Sequence, residues 1–514
     1  MEENNSKQPK NQEVKLNDQM LVRREKLEKI RALGIEPYGQ RFDWDYHAED
    51  IRKDAKELEE SGETVKIVGR IMIRRGQGKT AFCVLRDQSG DIQLYFRKDE
   101  LSEKEWDLFK LVDLGDILGV TGNVFTTHTG ELTVRVVHFT MLAKSLRPLP
   151  EKWHGLTDVE QRYRQRYLDL IVNPDVRKTF VRRAKMLSAI RKWYEDHGFL
   201  EVETPVLQPL YGGANARPFM THFNALDMTM YLRIAPELYL KRLLVGGYER
   251  IFEITRNFRN EGMDAKHNPE FTAIETYQAY GDIEDVIEQT EQVVAACAIA
   301  SYGTTKFTYE GTEIDVTPPW PRLTMAEAVK KYAGVDFDAC KTIEDARKLA
   351  DSIHVEYGEF DGFGKILAAA FDEYCEAKLI QPVHITQHPI EVSPLSKLDE
   401  KDPRYTIRFE SYIYGRELAN GFSELNDPID QRHRFEMQAE EREHGDDEAH
   451  PIDEDFLTAL EYGMPPTGGL GIGLDRLFMI MTDSSSIRDV LLFPAMKPEN
   501  MPDKAEKKAD SNKE

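Results

Sequence analysis

Five short runs rich in β-branched and aromatic residues lie close together near the start of the chain, and they constrain its fold most strongly. Turn sequences at Ser89-Gly90-Asp91 and Thr129-Gly130 separate some of them. A helical pattern at 102–110 falls between the third and fourth runs. Five strands within roughly 80 residues, with one helix inserted, are typical of a small OB-type β-barrel. The predicted strands are 65–68, 81–85, 91–96, 116–124 and 132–142.

From residue 158 onward, helical patterns mix with strands that occur in groups. A long amphipathic pattern at 177–197 ends at Gly198 and precedes a predicted strand at 200–204. Grouped strands favour an antiparallel sheet flanked by helices over a doubly wound parallel sheet. The predicted fold class is therefore α+β, with an N-terminal OB-type barrel followed by a larger domain.

Changes in composition give the predicted domain boundaries. The N-terminal extension combines a polar tail at 1–17 with helices at 18–33 and 48–60, and a glycine-rich turn at 468–473 leads into a late helix. The predicted units are 1–62 as tail and helical extension, 63–146 as barrel, 147–157 as linker, 158–500 as α+β domain with a variable insertion at 318–397, and 501–514 as flexible charged tail.

The net charge of the whole chain and the charge of one short segment lead to different expectations about nucleic-acid binding. The chain has 514 residues and a formal charge of −23, from 68 Lys and Arg against 91 Asp and Glu. This total argues against a general affinity for nucleic acid, but binding depends on local charge. Residues 65–80 include five basic side chains and no acidic one. We therefore expect an RNA-binding footprint on a basic strip of the barrel.

Cysteine usage and hydropathy indicate the compartment. The four cysteines are scattered and form no CxxC pair, which argues against disulfides or a zinc site and fits a reducing cytoplasm. The longest uncharged apolar stretch, near 293–300, is far shorter than the ~20 residues of a membrane helix. The N-terminus lacks the apolar region of a signal peptide. We expect a cytoplasmic protein with no membrane association.

The segment 258–272 is the richest in chemistry. Arg259 follows a predicted strand, and its guanidinium fits a phosphate or a carboxylate. Phe271 offers a flat face to a purine ring, and His267 is placed to reach a terminal phosphate. On composition alone, a charged hairpin with one packed phenylalanine remains an equal alternative.

Three segments carry a family resemblance. Residues 258–261 read Phe-Arg-Asn-Glu, and 267–271 read His-Asn-Pro-Glu-Phe. Residues 177–205 form a helix and then a strand ending at a proline, and 469–476 read Gly-Leu-Gly-Ile-Gly-Leu-Asp-Arg. These segments resemble motifs 2, 1 and 3 of class II aminoacyl-tRNA synthetases, in the family's order. The resemblance covers about 65–494 and implies an OB-fold anticodon-binding domain before a class II catalytic domain.

Further strings are similar to those of bacterial-type lysyl-tRNA synthetases. They are Arg-Ile-Ala-Pro-Glu-Leu-Tyr-Leu at 233–240 and Asn-Gly-Phe-Ser-Glu-Leu at 420–425. Aspartyl and asparaginyl enzymes share the architecture but normally place an arginine in the side-chain pocket. Here the pocket candidates are the carboxylates Glu237, Glu275 and Glu424. A buried ammonium group requires opposed negative charge, so these residues independently favour lysine over aspartate.

The resemblance implies roles in ATP binding. Arg259 and Arg476 are the expected catalytic residues: Arg259 holds the α-phosphate and the substrate carboxylate, and Arg476 packs against adenine and touches the γ-phosphate. Glu261 reads the adenine amino group, Phe271 stacks on adenine, and His267 contacts the β- and γ-phosphates. A surface role for the two arginines is the alternative.

The resemblance also implies a lysine site. Gly213 and Glu237 meet the α-amino group. The ε-ammonium group is expected between Glu275, Tyr277 and Glu424, although Tyr277 as a packed core tyrosine remains an alternative. The substrate carboxylate and alkyl stem are expected at Asn420 and Phe422.

Glu410 and Glu417 resemble the family's metal-binding pair, and their oxygen ligands suit Mg²⁺ as the cofactor, arriving with the phosphates of ATP. They are seven positions apart in sequence, which places them on opposite faces of one continuous strand. The pairing therefore requires a turn near Gly415. Two solvated carboxylates are the alternative.

For the tRNA, the resemblance assigns Arg75, Phe82 and Gln93 to the anticodon, because OB folds bind single-stranded bases by stacking beside a cationic groove. Phe82 as a barrel core residue is the competing interpretation. The implied partners are tRNA(Lys), ATP, L-lysine and a second copy of the chain, bound through the motif 1 helix and strand.

Three functions follow from these patterns. The first is ATP-dependent activation of lysine to lysyl-adenylate and its transfer to the 3′ end of tRNA(Lys). The second is transfer of lysine to a protein, although such paralogues usually lack the anticodon barrel. The third is a non-catalytic RNA-binding protein, which predicts broken motifs, whereas Arg259, Glu261, Phe271 and Arg476 are all present.

Overall fold

The computed structural model of the chain describes residues 17–39, 41–76, 78–150, 156–443 and 451–499. It divides into two compact units, Met1–Thr157 and Asp158–Glu514. Residues 1–16 of the predicted polar tail, 151–155 of the predicted linker and the whole predicted tail at 501–514 lie outside the described residues. Within the described part, no helix combines the length and apolarity needed to cross a membrane.

The first unit contains a closed barrel of five strands in the order β1-β2-β3-β5-β4. Its neighbouring strands are antiparallel except β3 and β5, which are parallel. This arrangement confirms the predicted OB-type barrel. The strands are β1 (Thr64–Arg75), β2 (Thr80–Arg86), β3 (Asp91–Arg97), β4 (Ile117–Thr126) and β5 (Leu132–Ala143), and the helices are α1 (Asp18–Ala32), α2 (Ala48–Lys53), α3 (Ala55–Ser61) and α4 (Glu103–Leu111).

Strand alternation builds the barrel core. In β2, Ala81, Cys83 and Leu85 are buried, while the residues between them are half-buried on the outer face. The single helix predicted at 48–60 is wrong, because the chain forms α2 and α3 with a break at Asp54. The ψ of Asp54 is 14°, outside the helical range, and aspartate is a poor helix-interior residue because its side chain competes for backbone groups.

The second unit is built on an eight-stranded sheet in the order β14-β15-β16-β17-β18-β11-β10-β6. Its central strands are antiparallel as predicted, whereas the pairs β14–β15 and β10–β6 at its two ends are parallel. The strands of this unit are β6 (Leu200–Glu201), β7 (Leu207–Gln208), β8 (Met220–Phe223), β9 (Met228–Leu232), β10 (Arg250–Phe258), β11 (Glu270–Ala279), β12 (Lys306–Tyr309), β13 (Thr312–Asp315), β14 (Arg322–Thr324), β15 (Val383–Thr386), β16 (Arg408–Tyr412), β17 (Glu417–Ser423) and β18 (Thr467–Ile472).

Helices cover this sheet. The longest, α7, begins with Pro174 in its first turn and contributes Met186, Ile190 and Tyr194 to the main core. Helix α9 contributes Val293 and Val294 to the same core. The helices are α5 (Val159–Arg164), α6 (Arg166–Val172), α7 (Pro174–Asp196), α8 (Glu237–Val245), α9 (Ile283–Tyr302), α10 (Met325–Ala333), α11 (Ile343–Ser352), α12 (Phe363–Tyr374), α13 (Pro428–Glu443), α14 (Glu454–Glu461), α15 (Leu474–Met481) and α16 (Ile487–Val490).

The glycine-rich turn predicted at 468–473 is wrong. Residues up to Ile472 form the central strand β18, and α15 follows Gly473. A Cβ at Gly468 would lie 2.6 Å from the carbonyl oxygen of Asp282, and one at Gly469 would overlap the carboxylate of Glu424. These glycines therefore permit close approach of neighbouring groups within a sheet, a use of glycine that a local pattern does not distinguish from a turn.

Candidate active site

A cavity of about 390 Å³ opens on one face of the large sheet. The structure brings together there every residue predicted to bind ATP or lysine, together with Glu417. Glu410 does not line it. The predicted residues that line the cavity are Gly213, Glu237, Arg259, Glu261, His267, Phe271, Glu275, Tyr277, Asn420, Phe422, Glu424 and Arg476.

One end of the cavity is formed by the hairpin of β10 and β11. Arg259 follows β10, and its N–H donates to the carbonyl of Pro269 at 2.9 Å. Its guanidinium carbon lies 5.0 Å from the centre of the Phe271 ring. The Nε of Arg259 is buried and has no hydrogen-bond partner among the described residues. Burial lowers the pKa of this guanidinium, so the site presents a poorly solvated cation with an unused donor.

Arg476 lies in the first turn of α15. Its Nη1 donates to the carbonyl oxygen of Glu417 at 2.9 Å and to Oε2 of Glu417 at 3.0 Å. The adjacent Asp475 accepts from the backbone N–H of Thr272 and from Nη1 of Arg183, each at 2.7 Å. Motif 3 is therefore anchored to the motif 2 strand and to α7.

The loop between β10 and β11 carries the remaining predicted ATP-binding residues. Glu261 and His267 are both exposed on this loop. The Nδ1 of His267 lies 2.8 Å from Oδ2 of Asp264. This contact orients the imidazole ring and directs its other nitrogen away from Asp264.

The other end of the cavity is a floor made by three strands in register. In β11, β18 and β17, Glu275 pairs with Gly471 and Gly471 with Asn420. Two residues along, Tyr277 pairs with Gly469 and Gly469 with Phe422. Because side chains two residues apart share a face of a strand, the larger side chains line one surface and the glycines leave space between them.

Three carboxylates are buried in this part of the cavity. Glu237, Glu275 and Glu424 are 7%, 9% and 1% exposed. The hydroxyl of Tyr277, which is also buried, donates to Oε2 of Glu275 at 3.2 Å. Tyr277 is thus both a packed residue and a cavity-lining one, so the two interpretations of it are compatible.

Burial is the largest effect on the pKa of two of these groups. Burial and, to a smaller extent, the neighbouring Glu237 together raise the pKa of Glu275 to about 8. Burial also raises the pKa of Glu424 to about 8, although the ammonium group of Lys241 opposes the shift. The Oε1 of Glu424 accepts no hydrogen bond from the described residues. A cation bound here would therefore stabilise the charged forms of Glu275 and Glu424.

Lys241 is a site residue that the sequence interpretation missed. Its Nζ lies 2.6 Å from Oε1 of Glu237 and 2.5 Å from Oε2 of Glu424, and its side chain is fully buried. The two carboxylates raise the pKa of this ammonium group, against the effect of burial. The available signal was the spacing, since residues four apart on a helix share a face.

Two more contacts shape the floor. Gly213 has a φ of +88°, and a Cβ there would lie 2.9 Å from Cβ of Glu237, so both the backbone and the space require glycine. The Nε of Arg408, another residue missed from sequence, donates to Oδ1 of Asn420 at 3.0 Å. The sequence signal for Arg408 was its position two residues before Glu410, because strand alternation places both side chains on the same face of β16.

The predicted metal pair lies on the hairpin of β16 and β17. A turn at Gly415, with a φ of +61°, joins the strands as the pairing requires. The Oε1 of Glu410 accepts from Nη2 of Arg408 and its Oε2 from the hydroxyl of Tyr412, both at 2.5 Å. Among the described residues, no group of three or more His, Cys, Asp or Glu side chains is arranged to hold a metal.

Further acids lie near this hairpin. Burial, together with the nearby Glu376, Glu410 and Glu417, raises the pKa of Asp372 to about 6. The pKa of Glu376 is also raised, by burial and by the carboxylates of Glu410 and Glu417. This region therefore holds an excess of negative charge, which a cation would stabilise.

In the barrel, the predicted anticodon residues lie on neighbouring strands. Arg75 is exposed and pairs with Phe82 across β1 and β2. Phe82 is half-buried on the outer face, outside the barrel core, and its ring stacks on Tyr95 with centres 4.7 Å apart. The Nε2 of Gln93 donates to Oγ1 of Thr133 at 2.9 Å.

The predicted basic strip is only partly available to a ligand. Arg74 donates to the carbonyls of Phe109 and Val112, and Arg70 to that of Gly115. These two arginines therefore stabilise the barrel itself. The exposed cations of the strip are Lys66, Arg75 and Lys79.

Comparison with known protein families identifies the family to which this architecture belongs. Residues 158–497 match the model for class II tRNA synthetases of the D, K and N group, and residues 65–142 match that for an OB-fold nucleic acid binding domain. The chain belongs to the class II tRNA synthetases (D, K and N) and is a ligase with an attached OB-fold domain.

The most informative relatives are named lysine–tRNA ligases. One from Pelotomaculum thermopropionicum is 56% identical over 488 residues, covering 95% of this chain and 96% of the relative. One from Moorella thermoacetica is 56% identical over 94% of this chain and 98% of the relative. One from Halalkalibacterium halodurans is 55% identical over 96% of this chain and 99% of the relative.

Proposed function

We propose that this synthetase is a lysine–tRNA ligase, which activates L-lysine with ATP and transfers it to the 3′ end of tRNA(Lys). The observation that carries the proposal is the set of three buried carboxylates at the cavity floor, Glu237, Glu275 and Glu424. An aspartate side chain would meet like charge there, and asparagine would leave the negative charge uncompensated. Lysine brings the ammonium groups that the floor requires, and the relatives described above carry the same name.

Arg259, Glu261, His267, Phe271 and Arg476 would bind ATP. Arg259 is suited to the α-phosphate and the lysine carboxylate, because its buried guanidinium has an unused donor. Phe271 would stack on adenine and Arg476 would pack on its other face. Glu261 would accept from the adenine amino group, and His267 would reach the β- and γ-phosphates.

Gly213 and Glu237 would meet the α-amino group of lysine. Glu275, Tyr277 and Glu424 would surround its ε-ammonium group, since both carboxylate oxygens of Glu424 are buried without a well-aligned hydrogen bond from the described residues. Asn420, which Arg408 orients, would hold the carboxylate, and Phe422 would pack on the alkyl stem.

The reaction needs no protein nucleophile. An oxygen of the lysine carboxylate attacks the α-phosphorus in line, the bond to the bridging oxygen breaks, and pyrophosphate leaves lysyl-adenylate behind. A hydroxyl at the 3′ end of tRNA then attacks the acyl carbonyl and AMP leaves. Arg259 and Arg476 contribute by orienting the reactants and by neutralising charge that develops on the phosphates.

Glu410 and Glu417 are the proposed ligands of Mg²⁺. Their oxygens fit this ion, which is commonly held by one or two carboxylates together with substrate phosphates. The pKa of the nearby Asp372 is raised to about 6 by burial and then by the negative charge of Glu376, Glu410 and Glu417, which a cation would balance. When bound, Mg²⁺ would supply positive charge to the phosphates of ATP.

The barrel would read the anticodon through Arg75, Phe82 and Gln93. Residues 63–146 would be the tRNA-binding domain. Residues 158–500 would be the catalytic domain, which includes the insertion at 318–397. Phe82 and Tyr95 give a stacked aromatic surface at half exposure, suited to unpaired bases. The exposed Arg75 would supply charge to the RNA backbone.

We further propose that the protein is a cytoplasmic homodimer that pairs through α7 and the strand after it. Val181 of α7 is 54% exposed, and Leu200 and Leu207 are 49% and 50% exposed. Large apolar side chains exposed along one region commonly mark an interface. The free thiols of the buried cysteines fit a reducing compartment.

Aminoacylation with labelled lysine tests the proposal. The full chain with ATP should charge tRNA(Lys) and leave tRNA(Asp) and tRNA(Asn) uncharged. Labelling of protein acceptors instead would favour the lysine-to-protein alternative. Absence of any acylated product would favour the non-catalytic alternative.

A further inference from the structure

The position of Lys241 poses a physical question. A fully buried ammonium group loses its hydration, and this cost is recovered only through close opposite charges. Lys241 has two such charges, Glu237 on its own helix and Glu424 after β17. A lysine of the chain is therefore paired with two carboxylates of the pocket proposed to select lysine.

Charge counting indicates what Lys241 contributes. The floor holds three carboxylates, and Lys241 adds one positive charge among them, so the formal charge is −2. Free lysine brings two ammonium groups. Its own carboxylate would face Arg259 at the other end of the cavity. With Lys241 present, the charge of the floor matches that of the two substrate ammonium groups.

The contacts also show which acceptors remain. Lys241 Nζ lies 2.5 Å from Oε2 of Glu424, yet neither oxygen of this carboxylate accepts a well-aligned hydrogen bond from the described residues. The glycine at 469 leaves the space that Oε1 fills. Lys241 thus forms an ion pair with Glu424 and leaves its oxygens able to accept from a substrate ammonium group.

We propose that Lys241 is a positioning residue for amino acid recognition: its ammonium group holds the carboxylates of Glu237 and Glu424 in place and favours their charged forms, so that they can pair with the ammonium groups of the substrate. This inference rests on the proposed function. Besides Lys241, Glu424 faces Glu237 and Glu275, and the charged or titratable groups around Glu275 are Glu237, Glu253, Arg259 and Tyr277.

With Lys241 in place, the pKa of Glu424 is about 8, and without this ammonium group burial and the neighbouring acids would raise it further. Less of Glu424 would then be charged at pH 7, and a protonated carboxyl is a weak partner for an ammonium group. The test compares the variants K241M, K241Q and K241R by lysine-dependent ATP–pyrophosphate exchange at pH 7 and pH 9. K330M serves as the matched control. Lys330 lies on α10 and forms an exposed ion pair with Asp336.

For K241M and K241Q, we expect the lysine KM at pH 7 to rise about tenfold or more and to recover toward pH 9, with the ATP KM little changed. K241R should keep the pH profile of the natural protein, because it keeps the charge. K330M should match the natural protein throughout. An unchanged lysine KM in the neutral variants, or equal rises in both KM values, would overturn the proposal.

Two other outcomes remain decisive. If both neutral variants fail to fold while K241R folds, Lys241 serves folding and its proposed role in recognition is wrong. If the natural protein shows exchange with no amino acid or with one other than lysine, the proposed function fails before Lys241 is tested.

Discussion

Arg183 of α7 and Asp475 of α15 form an ion pair in which Nη1 and Oδ1 are 2.7 Å apart, with side chains 14% and 3% exposed. The pair joins the helix expected at the dimer interface to the helix that carries Arg476. The second oxygen of Asp475 accepts from the backbone N–H of Thr272 on β11. The carboxylate of Asp475 thus connects the segments that resemble motifs 1, 2 and 3.

D475N should weaken this connection. Removing one charge of a buried pair typically costs about 3–5 kcal/mol, because the partner remains buried and uncompensated. We expect lower stability of the C-terminal unit in chemical denaturation and a higher KM for ATP, since Arg476 follows directly. D175N on α7 is the matched control: its pair with Lys178 is exposed to solvent, so its loss should change stability far less. Equal stability losses in the two variants would contradict this role.

G469A should damage lysine recognition selectively. The added methyl group would overlap Oε1 of Glu424, so this carboxylate must move. We expect the lysine KM to rise about tenfold or more while the ATP KM changes little, measured by pyrophosphate exchange. G471A is the control, because its nearest heavy atoms would be 3.8 Å from the new Cβ, an ordinary contact. A G471A effect as large as that of G469A would refute the explanation.

Lysine binding should release protons near neutral pH. The pKa values of Glu275 and Glu424 are raised to about 8 without substrate, and a bound ammonium group would lower them. Lysine affinity should therefore rise as pH increases toward 8. Calorimetry in two buffers with different ionisation enthalpies should detect the release, and E424Q should reduce it. A binding enthalpy independent of the buffer would contradict these protonation states.

The same pKa values determine the direction in which folding stability changes with pH. A carboxyl group whose folded-state pKa is raised binds protons more tightly when folded, so its contribution stabilises the protein at low pH. That contribution is lost as pH rises from about 4.5 to about 8. Lysine, which favours the charged form, should therefore raise the thermal midpoint more at pH 8.5 than at pH 6.5. A larger shift at the lower pH would oppose the assignment.

F82A should separate tRNA recognition from amino acid activation. Phe82 lies on the outer face of the barrel and stacks on Tyr95, so its loss removes an aromatic surface for bases and leaves the barrel core intact. Loss of one such stacking surface typically costs about 1–3 kcal/mol of binding per base. We expect a higher KM for tRNA in aminoacylation and unchanged pyrophosphate exchange. Equal losses in both assays would instead make Phe82 structural.

Local patterns predicted the elements that depend on nearby residues. The barrel strands and α7 follow from alternation and from helical periodicity. Their bounds agree with the prediction to within a few residues, except that β1 continues to Arg75, seven residues past its predicted end at 68. The cavity-lining residues followed from motif strings. In contrast, the role of Gly469 depends on the distant Glu424, and a glycine-rich run reads locally as a turn.

Tertiary contacts explain the other differences. The break at Asp54 lies between Ile51 and Leu58, which are both buried in the barrel core, so packing holds the two short helices where a continuous charged helix was predicted. Lys241 was missed because its importance depends on Glu424, which is 183 positions away in sequence (424 minus 241) and adjacent in space. Such contacts are set by strand register and by helix packing.

The central claim is that buried carboxylates select lysine, and ATP–pyrophosphate exchange by the full chain with each amino acid in turn tests it most directly. We expect exchange with lysine far above that with any other amino acid, and none above background with aspartate or asparagine. Exchange that needs no lysine, or that aspartate supports as well as lysine, would contradict the account.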